Sequence, residues 1–121
     1  MALTREFRET VVRRVAKDVA FRAALIEEAV QNILDGNIAT ALSQLRDVVN
    51  ATMGFDALAA ATGLPKTSLM RMLGPNGNPR ADNLGGILRA LGRHTGMYIV
   101  ARAEPVPEPE TARFHASSEI S

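Results

Sequence analysis

Apolar and polar positions along the first half of the chain recur with the spacing of amphipathic helices. In residues 4–17, Phe7, Val11, Val12 and Val15 fall on one face and Arg and Glu on the other, which predicts a first helix. Asp18 is placed to cap a second, VAFRAALIEEAVQNIL, which ends at Asp35-Gly36, where glycine suits a left-handed backbone. Asn37 is placed to cap a third, IATALSQLRDVVNAT, whose Ile38, Ala41, Leu42, Leu45, Val48 and Val49 form one stripe; Gly54 ends it. Two short helical pieces follow, FDALAAAT and KTSLMRML, separated by Gly63-Leu64-Pro65. GPNGNP (74–79) is turn chemistry throughout. A last helix is expected over 80–93, with Gly85-Gly86 inside it at a cost of about 1 kcal/mol per glycine relative to alanine. That pair either packs closely against another backbone or weakens the helix.

The pattern then changes. In MYIVARA (97–103), Tyr98, Ile99 and Val100 are β-formers that follow the helix-breaking Gly96, which predicts a short strand. A lone strand is unstable and needs a partner; the same strand of a second subunit is a candidate. From Glu104 the chain is Pro-rich, acidic and polar, the composition of a tail without fixed structure. Three parts are therefore expected: an N-terminal helical extension (1–36), a compact helical domain (37–103) and the tail (104–121). The fold class is all-α with a short C-terminal β-strand.

Composition narrows the chemistry. The 121 residues contain no cysteine, which excludes a disulfide framework, a thiolate metal site and a thiol nucleophile. No apolar run approaches the roughly 20 residues of a membrane span, and MALTREFRETVVRR lacks the apolar core of a signal peptide; a soluble, cytoplasmic protein without a membrane partner is expected. The net charge of +1 says little, but its distribution matters. Residues 1–53 balance to zero, residues 54–103 carry +4 and residues 104–121 carry −3. The positive charge sits in residues 54–103, the segment that includes the two short helices, as contacts to phosphate require.

Counted from Phe55 as position one, the segment 55–74 matches a helix-turn-helix. That motif needs a small residue at five, glycine at nine, and apolar residues at four, ten, fifteen and eighteen. Those positions hold Ala59, Gly63, Leu58, Leu64, Leu69 and Met72. The longer run GFDALAAATGLPKTSLMRMLGPNGNPRADNLGGILRALG resembles the helix-turn-helix of the Cro/lambda-repressor superfamily. Within it, the likeness is closest to the antidote (antitoxin) proteins of addiction modules. It is carried by TGLPKTSLMRML, the turn Gly77-Asn78-Pro79, the closing Leu91-Gly92 and the short apolar segment beyond, and extends over about 70 residues from Gly36 to Ala103. The resemblance implies a lambda-repressor-like five-helix core, a homodimer, repression of the module's own promoter and, in such modules, binding of a small partner toxin. The chain departs from the wider superfamily at Pro65, where Ser or Thr commonly begins the recognition helix, and at Met70, where a small polar residue often faces the bases.

The mechanism expected from this reading puts the helix over 65–73 in the major groove of double-stranded DNA. Lys66, Thr67 and Arg71 point outward, and Arg71 is the residue suited to a bidentate contact with guanine. Thr67 or Met70 is suited to a thymine methyl. Ser68, Asn76, Asn78, Arg80 and the glycine amides of 74–77 are suited to phosphates, which set register without reading sequence. Rival chemistries are weaker. His94 and His115 are too few and too far apart for a metal site, adjacent Glu27-Glu28 lie on different faces of a helix, and GPNGNP lacks the Lys-Ser/Thr of a nucleotide loop. No nucleophile, base and oxyanion site assembles, so neither an enzyme nor a cofactor is expected. Two other readings remain: a module whose main task is to neutralise a partner toxin, and a solitary regulator without one.

Overall fold

The computed structural model describes residues 4–107. Six helices succeed one another there: α1 (Arg5–Lys17), α2 (Val19–Leu34), α3 (Ile38–Ala51), α4 (Gly54–Thr62), α5 (Lys66–Met72) and α6 (Ala81–Thr95). None is long and apolar enough to cross a membrane.

Local chemistry sets the helix ends. Thr4 Oγ1 accepts the Phe7 amide at 3.0 Å and starts α1. Asp18 Oδ1 accepts the Phe21 amide, also at 3.0 Å, so one residue closes α1 and caps α2. Gly36, Gly54, Gly63 and Gly96 all take positive φ, a region in which a Cβ is strained. Gly36, Gly63 and Gly96 follow helix ends, whereas Gly54, expected to end α3, instead opens α4, because α3 already stops at Ala51 with Thr52 as its cap. Asn37 is different. It occupies the cap position of α3 without making a side-chain cap bond; its amide instead donates to Asn32 Oδ1 at 3.3 Å. The α2–α3 corner thereby satisfies Asn37 sideways, and the first turn of α3 goes without a side-chain cap.

α3 organises the packing. It contacts α1, α2 and α4, and α4 in turn contacts α5 and α6. The stripe read from the sequence explains why: Leu42, Leu45, Val48 and Val49 are almost fully buried, each burial contributing roughly 1.5–3 kcal/mol. One continuous buried cluster runs from Val15 of α1 and Ile26 of α2 through α3 to Leu58, Leu69, Ile87 and Leu91. Phe7 and Ile38, expected on the apolar faces, stand at helix starts and are 53% and 38% exposed.

Two expectations for the C-terminal third change. α6 passes unbroken through Gly85 and Gly86, yet no backbone packs closely there: a Cβ built on either glycine meets nothing within 4 Å. Ile87, Ala90 and Leu91 beside them are buried, and that tertiary packing outweighs the low helix propensity of glycine. Gly86 instead lines an open cleft between α4 and α6, together with Ala57, Ala60 and Ala61. The predicted strand at 97–103 is not formed among the described residues. The physical reason is that a ladder needs two strands, and the described chain supplies only this one. Residues 104–107 are exposed and carry no regular element; the rest of the tail, residues 108–121, lies outside the described residues.

Candidate nucleic-acid interface

The α4–α5 pair is built from its turn. Thr62 Oγ1 donates to the Leu58 carbonyl at 2.8 Å and accepts the Leu64 amide at 3.3 Å. Gly63 follows at φ 75°, ψ 10°, and its amide closes on the Ala59 carbonyl. A left-handed residue here reverses the chain within three residues. Pro65 then takes an extended conformation (φ −61°, ψ 141°) as the residue before α5, with no side-chain cap. Its fixed φ suits that entry into a helix. Leu64 and Ala59 are half-buried against the core, while Leu58 and Leu69 are fully buried.

This packing decides which way α5 faces. Leu69 and Leu73 are buried and Met72 packs half-buried beside them. Lys66, Thr67, Met70 and Arg71 are therefore left on the open side, all four exposed. Thr67 and Arg71, and likewise Lys66 and Met70, are four residues apart and so lie one above the other on the helix surface. Met70 is 49% exposed. Ser68 is half-buried on the flank of the helix.

Past α5 the chain turns tightly. The Gly74 amide donates to the Arg71 carbonyl at 3.1 Å, and the Gly77 amide donates to the Gly74 carbonyl at 3.0 Å. Gly77 has no room for a side chain: a Cβ there falls 1.9 Å from the Met72 carbonyl oxygen. The turn thus presses directly on the end of α5, and Asn76, Asn78 and Arg80 are exposed along it. Arg46 of α3 donates from Nη1 to the Leu73 carbonyl at 3.2 Å, tying the C-terminal end of α5 to the central helix.

The charges on this surface are not all free. Lys66 Nζ lies 3.1 Å from Asp56 Oδ1 on α4, and Arg80 Nη2 lies 3.2 Å from Asp82 Oδ2 at the start of α6. Arg71 has no carboxylate partner among the described residues. Sequence reasoning overlooked Asp56, Asp82 and Arg46. Arg80 and Asp82 are two apart and were legible as neighbours; Asp56–Lys66 and Arg46–Leu73 depend on how the helices fold back and had no local signal.

The resulting surface is a row of donors (ammonium, guanidinium, hydroxyl and amide groups) on one short helix and the turn after it. Such groups donate hydrogen bonds to phosphate oxygens and to the acceptor atoms of base edges. No group of His, Asp and Glu side chains suited to a metal ion occurs among the described residues. Comparison of the chain with protein-family models, with curated proteins and with solved structures finds no match.

Proposed function

We propose that the protein is a sequence-specific DNA-binding transcriptional regulator that acts as a homodimer, with α4 and α5 as its helix-turn-helix and α5 lying in the major groove. The observation that carries this reading is the two-sidedness of α5: Leu69 holds it to the core while Lys66, Thr67, Met70 and Arg71 face outward together. Arg71 reads a guanine, Thr67 and Met70 meet base edges or thymine methyls, and Lys66, Ser68, Asn76, Asn78 and Arg80 hold phosphates. Two copies bind half-sites about one helical turn apart, roughly 34 Å. A mobility shift on the DNA upstream of its own gene tests this. Binding is expected to weaken steeply with salt, and Arg71→Ala is expected to relax sequence preference by roughly 1–3 kcal/mol. Full affinity and preference in that variant would remove Arg71 from the base-reading role.

The family resemblance extends the proposal to an antidote of a toxin–antitoxin module that represses its own promoter. In that reading the helices of residues 1–35, or the acidic tail, are the surface that meets the toxin. Co-expression with the product of the adjacent reading frame tests this part separately. Stable co-purification supports an antidote, and its absence leaves a solitary regulator.

A further inference from the structure

We infer that residues 97–107 form an antiparallel two-stranded ribbon with the same residues of a second copy, and that only one edge of the segment, the even-numbered one, makes the pairing. The inference rests on the homodimer in the reading above and supplies its interface.

The segment has the side-chain rhythm of a strand without a ladder. Met97 and Ile99 are half-buried and pack against the core, whereas Tyr98 and Val100 are 90% and 74% exposed. In a strand, alternate residues also send their N–H and C=O groups to opposite edges, so the odd and even residues define two different edges.

The odd edge is closed at its two ends, although the amides of Ile99, Ala101 and Ala103 between them make no backbone hydrogen bond either. Met97 turns its amide to the Gly92 carbonyl at 2.8 Å, and its own carbonyl oxygen would lie 2.8 Å from a Cβ at Gly92. That edge therefore faces the end of α6. Further along, Pro105 and Pro107 remove its amide donors, and Pro109 continues the same parity. The even edge is open. Among the described residues the amides of Tyr98, Val100, Arg102, Glu104 and Val106 make no backbone hydrogen bond, and none of these residues is proline.

Charge selects both the occupant and the register. Arg102 and Glu104 pair with each other within the chain. An antiparallel copy centred on Ala103 sets Arg102 of each strand opposite Glu104 of the other, so the pair each chain makes within itself can be made across the ribbon. The same register sets Val100 opposite Val106, two exposed β-branched side chains, a favourable cross-strand pair. Centring on Arg102 would oppose two like charges. Identical strands related by a two-fold axis satisfy these pairings reciprocally, and the closed odd edge stops further strands from adding.

The test is a proline placed on each edge, read by light scattering on the full chain without DNA. Val100→Pro removes an amide from the pairing edge and is expected to give a monomer. Ala101→Pro removes one from the closed edge and is expected to leave the dimer intact, with circular dichroism confirming helix content in both. Ala103 lies at a non-hydrogen-bonded position on the two-fold axis, where Cα atoms come within about 4.5 Å, a separation that disulfides span. In a chain otherwise free of cysteine, Ala103→Cys is expected to form an intermolecular disulfide on mild oxidation. A monomeric parent chain, a dimeric Val100→Pro, or equal loss in both proline variants would overturn the inference. Mobility shifts on the same variants separate it from the DNA reading: a chain that dimerises through this edge yet shifts no DNA keeps the interface and loses the regulator.

Discussion

Arg8 of α1 donates from Nη2 to Asp47 Oδ1 of α3 at 2.8 Å, and this contact joins the N-terminal helix to the element on which the α4–α5 pair is mounted. Asp47 is the one buried charged residue among the described residues. Arg8 also donates to Ser43 at 3.2 Å. Arg46, beside Asp47 in sequence, reaches the Leu73 carbonyl at the end of α5. Two neighbouring residues of α3 thus hold α1 and α5.

Arg8→Ala leaves the buried Asp47 carboxylate without its close partner. A buried charge stripped of its partner is strongly destabilising, moderated here because Arg46 remains nearby. The expected loss is about 2 kcal/mol, seen as a lower urea midpoint. Arg8→Met tests how much belongs to the charge, because it keeps most of the aliphatic packing.

Burial raises the Asp47 carboxyl above its ordinary value, against the lowering effects of Arg8 and Arg46. A raised folded-state value means that the folded protein holds this proton more tightly than the unfolded chain. The contribution to stability is therefore complete below the ordinary carboxylate range and is lost as pH rises through the folded value. Urea midpoints of the parent chain and Asp47→Asn, followed from pH 7 downward, check the sign. The parent is expected to gain on the variant as pH falls through that window.

Two glycines separate tight from open backbone. Gly77→Ala forces a methyl against the Met72 carbonyl, so the turn must move and take the end of α5 with it; a loss of about 2–3 kcal/mol and weaker DNA binding are expected. Gly85→Ala meets nothing and removes backbone entropy from a helix interior, with a gain of about 0.5–1 kcal/mol. Thermal melts of the two variants should therefore move in opposite directions.

Asp56 pairs with Lys66, so under the proposed DNA-binding function it would compete with phosphate for that side chain. Asp56→Ala is expected to tighten DNA binding at low salt, since it removes a negative charge and releases the ammonium group. Parallel titrations over a range of salt check this: the affinities of variant and parent should converge as salt screens the difference. Weaker binding in the variant would mean that Asp56 orients Lys66 and does not compete with DNA.

Much of the helical framework was legible because it depends on local chemistry. Asp18 as a cap, the left-handed glycines at 36, 63 and 96, and the non-helical GPNGNP turn all follow from backbone sterics and short-range hydrogen bonding. The stripe of α3 was legible because burial with helical period leaves few other arrangements. Asn37 misled because its side chain had a second partner, Asn32, across the α2–α3 corner. The glycine pair in α6 misled because a gap and a close approach both call for a small residue, and only packed neighbours distinguish them.

The sequence by itself determined the order of the helices, most of their ends, the buried stripe of α3, and that donors lie on α5 and the turn after it. These are properties of residues within a few positions of one another. Only the tertiary structure decided that Lys66 and Arg80 are engaged by Asp56 and Asp82, that Arg46 and Asp47 bind α5 and α1 to α3, and that Met97 turns its amide back to the end of α6. Each of those outcomes depends on groups brought together from different elements, and electrostatic and hydrogen-bond energies vary over ångströms that no local pattern records.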